Sequence, residues 1–156
     1  MGKITFRLAI LVVLVLVGGL ILAHFSPIAQ APSIPLEKEK TVEVSIKSTK
    51  VTAAVADTES AREQGLSGRA SLGGNDGMLF VFPADETPSF WMKEMSFPLD
   101  FIWLDAGKKV TEITPDVSPS TYPQTFSPSY PIRYVLEVNA GFAAAHQITT
   151  GDQASW

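Results

Sequence analysis

Four charged residues stand among apolar neighbours and could together build a polar site: Lys93, Asp100, Arg133 and Glu137. Asp100 falls in LDFIWLD, where strand alternation gives it one face with Ile102 and Leu104. Arg133 and Glu137 lie four apart in RYVLEV and so share a strand face. Lys93 ends SFWMK, and the link Glu94 to Pro98 is short enough for a hairpin that sets it within one rung of Asp100. Two readings of the quartet stand side by side. Buried charges need partners, so the group is a set of ion pairs that pins strand register. Alternatively it lines a pocket for a hydroxylated or charged ligand, flanked by Trp91 and Trp103, with Arg69 a further candidate contact.

The enzymatic alternative is a small glycan hydrolase that uses Asp100 and Glu137 as a carboxyl pair. That chemistry needs a separation of about 5 to 9.5 Å and one raised pKa. Lys93 and Arg133 nearby would lower both pKa values rather than split them. Other templates fail on inventory. No glycine-rich loop leads into Lys-Ser/Thr to cradle phosphate. Gly65-Leu66-Ser67-Gly68 lacks the spacing of a nucleophile elbow, and His146 is the one imidazole inside the domain. The chain has no cysteine, which removes thiol catalysis, iron–sulfur clusters and lipoprotein acylation. Met78, Met92 and Met95 offer thioethers, but Met78 and Met92 sit in apolar strands and read as packing. No metal or other cofactor is expected.

The elements that must position these groups are mostly strands. Thr41–Lys47 alternates, with Val42, Val44 and Ile46 on one face. Ser48-Thr49-Lys50 reads as a turn into Val51–Ala56. Asp57 and Thr58 offer helix N-caps, and Ser60 with Glu63 fits a capping box, so a short helix is expected from Glu59 to Gln64, stopped by Gly65. Gly68 to Gly77 is a loop. MLFVF (78–82), SFWMK (89–93) and LDFIWLD (99–105) are apolar on both faces and read as doubly covered strands. Lys109–Thr114 and Arg133–Val138 are further strands, and Asn139 is a candidate cap for a last helix reaching His146. Between them Pro115–Pro131 holds five prolines and four serines, a long loop whose Tyr122, Phe126 and Tyr130 make a candidate partner contact. The pattern predicts a mainly β domain, an antiparallel sandwich or small barrel with two short helices.

An apolar run, Leu8–Ala23, precedes this domain. Extended back to Ile4 it makes about 30 Å of helix, enough to span a membrane. Lys3, Arg7 and the amino terminus form its positive flank, which places the N-terminus in the cytoplasm and the rest outside. The run's length favours a retained anchor over a cleaved signal peptide. Residues 1–28 are thus the anchor or signal segment, 29–40 a Pro-rich charged spacer, and 41–156 one domain. Of 12 basic and 16 acidic residues, 4 and 2 precede Thr41, which leaves 8 and 14 and a domain charge of −6. That balance argues against nucleic acid as a partner.

The spaced set Ala61-Arg62, Gly65-Leu66, Arg69, Gly77-Met78-Leu79-Phe80, Phe90-Trp91-Met92-Lys93, Pro98-Leu99-Asp100, Arg133 to Glu137, Gly141 and Gly151-Asp152 resembles the domain-of-unknown-function 192 family. The resemblance covers most of Val42 to Asp152. It implies a β-rich fold and frequent export, and it supplies no activity. Two positions depart from the family pattern: Ser67 stands where Met is usual, and Glu94-Met95 where Asn-Thr is usual. The expected protein is a membrane-anchored, outward-facing module that binds a small polar ligand or an envelope protein. A purely structural envelope component is a further alternative.

Overall fold

Six consecutive buried residues, Leu99–Leu104, make one strand that no solvent reaches on either face. The computed structural model describes residues 40–156. The expected membrane helix, residues 4–23, and the spacer up to residue 39 lie outside the described residues. Among the described residues no helix is long and apolar enough to cross a membrane.

In chain order the elements are β1 (Thr41–Ile46), β2 (Thr49–Ala56), α1 (Glu59–Gln64), β3 (Asp76–Glu86) and β4 (Phe90–Trp91). They continue with β5 (Leu99–Leu104), β6 (Val110–Val117), a 3-10 turn (Pro119–Thr121), β7 (Thr125–Phe126), β8 (Ile132–Asn139), α2 (Phe142–Ala145) and β9 (Ala154–Ser155). Seven strands form one sheet in the order β6-β5-β8-β3-β2-β1-β9, and β4 pairs with β7 in a separate ribbon. The sheet curls into a half-barrel, and the domain is mainly β with two short helices. Its two ends touch at one bridge, Lys109 to Gln153, flanked by a Val110 N–H bond to the Asp152 carbonyl (2.9 Å).

Two apolar clusters sit on opposite faces of this sheet. The first takes residues from all seven strands, among them Val44, Val51, Leu79, Ile102, Leu136 and Val138, and packs against Phe142 and Ile148. The second centres on Met78, Phe80, Phe101, Trp103 and Val135, and is covered by Leu66, Met92, Phe90 and Phe126. Phe90 is the hub of this cover. Its ring lies 4.9 Å from Phe80, 5.6 Å from Phe101 and 5.5 Å from Trp103, centroid to centroid. Such contacts add about 0.5–1.5 kcal/mol each beyond area burial, enough to seat a ribbon only two residues long on each side.

Local details depart from the sequence expectation for identifiable reasons. Ile46 pairs with Thr49, so the first hairpin turns through Lys47 and Ser48 alone, with Lys47 at φ 54°. Thr58 caps α1, its Oγ1 accepting the Ala61 N–H at 3.2 Å, in place of the Ser60–Glu63 box. β2 and β3 run parallel, because the connection 57–75 is long enough to cross over and carries α1. SFWMK contributes only Phe90–Trp91, and these pair with β7 rather than with β5. Asn139 stays in β8, where its amide donates to the carbonyls of Leu72 and Gly73. Strand β6 runs on to Val117, and the proline segment after it contributes β7.

Gly77 marks a close approach between strands. A Cβ there would lie 2.7 Å from the Glu137 carbonyl oxygen and 2.9 Å from a Val51 methyl. Asp100 does a different job. Fully buried, its carboxylate accepts N–H bonds from Asp116 (2.9 Å), Gly141 (3.1 Å) and Ala143 (2.9 Å), tying β6 and the start of α2 to β5. Helix α2 has no side-chain cap of its own, so Asp100 supplies the acceptor its first turn needs. Asp100→Ala strands three backbone donors, that of Ala143 buried and the other two partly so, and is expected to cost on the order of 3 kcal/mol. Denaturant unfolding measures this; a wild-type midpoint would mean the carboxylate does not hold α2.

Candidate functional site

On the second face of the sheet, α1, the end of β3 and the segment from Pro88 to Met95 enclose a cleft of about 680 Å³. That is the size of an ordinary small-molecule site. Phe80 and Phe82 of the central strand β3, with Phe90 and Trp91, line it, and Glu137 is the lining residue from the neighbouring β8. The lining segments are tied down. Arg62 donates from Nη1 to the carbonyls of Asp57 and Val81, both at 3.0 Å, and its guanidinium stands 5.5 Å above the Phe82 ring. Ser67 donates to the Lys93 carbonyl and the Gly68 N–H to the Glu94 carbonyl, each at 2.9 Å.

Glu137 is the anomaly of the molecule. It is only 5% exposed, and its neighbours across the ladder on the same face are Met78 and Phe101, both apolar. Among the described residues its carboxyl has no hydrogen bond or ion pair, and burial alone pushes its pKa from 4.5 to about 8. No fully enclosed polar atom of the described residues lacks a partner, so the open side of this carboxyl is the cleft. At neutral pH the group is protonated and can both donate and accept a hydrogen bond.

The quartet suggested by the sequence does not assemble. Strand alternation puts Asp100 and Glu137 on opposite faces of the sheet, since Glu137 pairs with Phe101 and Asp100 with Val138. A hydrolytic carboxyl pair from these two residues is therefore not formed. Lys93 misses Asp100 because β4 pairs with β7; it stands at the cleft instead, its Nζ 6.0 Å from the Trp91 ring centroid. Arg133 shares the Glu137 face but turns to Asp85, Nε to Oδ1 at 2.8 Å. That partly exposed pair is worth under about 1 kcal/mol. Arg69 is half-buried in the loop after α1, its N–H bonded to the Leu66 carbonyl at 3.2 Å, and is not one of the cleft-lining residues.

Of the six candidate ligand contacts, Trp91, Lys93 and Glu137 meet at one cleft. Among the candidate partner contacts, Tyr122 and Tyr130 are exposed, whereas Phe126 packs inward 6.1 Å from Phe101. Missed by sequence reasoning were the cleft walls Phe80, Phe82 and Phe90 and the α1 residues that face them. Arg62, placed between two glutamates at helical spacing, was the available signal.

Fold and cleft together define a small curled β domain with an aromatic pocket over its central strands. The chain belongs to the domain-of-unknown-function 192 family, described as an uncharacterized ACR, whose model matches residues 41–156. It is similar to a Sinorhizobium meliloti 1021 protein, provisionally described as a transcription regulator, at 28% identity and TM-score 0.71, over 75% of this chain and 94% of that one. A protein of unknown function from Novosphingobium aromaticivorans DSM 12444 is similar at 29% identity and TM-score 0.71, over 82% and 94%. No curated protein matches the chain. One departure from the family pattern has a physical reading. Glu94 sits at φ 57°, a conformation that Asn, usual in the family there, adopts more readily than Glu.

The Glu137 carboxyl makes stability pH-dependent. Well below pH 4.5 it is protonated in both states and contributes no pH dependence. Between 4.5 and about 8 the unfolded chain releases this proton while the fold keeps it, so stability falls by about 1.4 kcal/mol per pH unit. Glu137→Gln cannot ionise. Relative to its value at pH 4, the variant is expected to gain roughly 3 kcal/mol on wild type by pH 7. Denaturant midpoints across this range check it; a pH-independent offset would contradict a buried neutral carboxyl.

Proposed function

We propose that this protein is a membrane-anchored, outward-facing binding module whose site is the aromatic cleft above Glu137. The observation that carries the reading is the carboxyl itself, buried, without a partner among the described residues and open to a space of ligand size. A ligand that pairs with it displaces water from the cleft and makes its hydrogen bond in an apolar setting, where such a bond is stronger than in water. Trp91, 51% exposed at the cleft, offers a flat face on which a ligand ring can stack. The anchor reading is supported by the apolar run Leu8–Ala23 and its positive flank. Release of the chain from membranes by alkaline carbonate would remove the anchor from the account.

A second reading, contact with an envelope protein, draws on the exposed aromatics. Tyr130 is 73% exposed, and Tyr122 meets Trp91 edge-on at 6.1 Å beside the cleft.

The test is ligand protection of the full chain in detergent, screened against sugars, peptidoglycan fragments, amino acids and nucleotides. A ligand at about 100 times its Kd is expected to stabilise the fold by roughly 2.7 kcal/mol, a shift of several degrees. Trp91→Ala and Glu137→Gln should each shrink that shift. A hit unaffected by both variants would move the site elsewhere, and no hit at all would leave the partner-protein reading.

A further inference from the structure

The charges around the cleft are unbalanced in a way that selects among ligands. Helix α1 contributes Glu59, Arg62 and Glu63, the end of β3 contributes Glu86, and the segment after β4 contributes Lys93 and Glu94. Four carboxyls thus face two basic groups even before Glu137 is counted. One of those basic groups is already engaged, since the Arg62 guanidinium bonds two carbonyls and covers the Phe82 face. Aromatic faces carry partial negative charge and attract cations, most strongly where water is excluded. Phe80, Phe82, Phe90 and Trp91 supply such faces. Glu137 supplies the only carboxyl of the set that is buried, aimed into the space and without a partner among the described residues. A metal ion does not suit this arrangement. It needs several oxygen or nitrogen ligands in one shell, and no group of three or more His, Cys, Asp or Glu among the described residues converges in that way.

Resting on the binding reading above, we infer that the cleft takes a small organic ammonium ion, its charge against the aromatic faces and paired with the Glu137 carboxylate. Binding then proceeds with loss of the carboxyl proton to solvent. The neutral acid gives up its proton, the ligand's positive charge replaces it, and the site remains neutral overall. Uptake of the cation is thereby coupled to release of one proton. With the carboxyl pKa near 8, about one molecule in eleven is ionised at pH 7 and about ten in eleven at pH 9. The apparent affinity therefore rises roughly tenfold over that interval.

Isothermal titration calorimetry of the full chain in detergent tests this with choline, butylammonium and the uncharged carbon analogue of choline, dimethylbutanol. At least one cation is expected to bind saturably, about tenfold tighter at pH 9 than at pH 7, and its heat at pH 7 should depend on the buffer's ionisation enthalpy. Dimethylbutanol should bind at least tenfold more weakly than choline. In Glu137→Gln, which cannot ionise, the pH dependence should vanish and cation affinity should fall, which separates this carboxyl from the other glutamates around the cleft. Equal binding of choline and dimethylbutanol, or affinity that ignores pH, would overturn the inference, as would failure of both cations to bind. If a neutral compound from the wider screen still protects wild type and not Glu137→Gln, the binding site stands without its cation preference. If nothing protects, the site falls as well.

Discussion

Covering both faces of the central strands is the constraint from which the rest of this structure follows. Strands β5 and β8 lie inside the sheet, and the buried side chains along them point to one apolar cluster or the other. A polar residue placed there has no route to water along the strand and must be satisfied by whatever packs above it. Two carboxyls occupy such positions. Asp100 points to one side and meets three backbone N–H groups, two of them from the start of α2. Glu137 points to the other and meets aromatic rings and the cleft. The same alternation that gives the fold its two cores therefore separates the carboxyls and gives them opposite fates. One stabilises the fold, and the other has no partner among the described residues.

The cover over the second face explains why that site remains open. Helix α1 is six residues long and has no buried residue, and the β4–β7 ribbon is two residues per strand. Neither is large enough to seal the sheet. They are held instead at a few points: Arg62 to the Val81 carbonyl, Ser67 to the Lys93 carbonyl, and Phe90 among the rings below it. These points fix the walls and leave space between them. Proton occupancy of Glu137 then matters to stability, because an ion at that place lacks a partner among the described residues.

Much of the fold was legible in the sequence, and the failures are instructive. The alternation in Thr41–Ile46, the helix Glu59–Gln64 and the doubly apolar runs of β3 and β5 followed from period and capping alone. SFWMK misled because its apolar density comes from residues that cap the aromatic cluster, and burial by a loop looks like burial in a sheet. The parallel β2–β3 pair was hidden because strand direction depends on the crossover, which composition does not encode. The candidate site was half legible. Glu137, Lys93 and Trp91 were visible as polar or aromatic residues in apolar strands. Separating Glu137 from Asp100 required knowing that α2 folds back with free N–H groups over one face and not the other. Arg133 was drawn away by Asp85, a residue far off in sequence.

The central claim is that Glu137 is a buried carboxyl, without a partner among the described residues, held neutral at physiological pH. Carbon-13 NMR of the full chain in detergent, with Glu137 assigned by comparison with Glu137→Gln, follows its side-chain carboxyl through a pH titration. A midpoint near 8 is predicted for the ligand-free protein. A midpoint in the ordinary glutamate range, near 4.5, would mean that water or a charge already pairs with the group and would contradict the account.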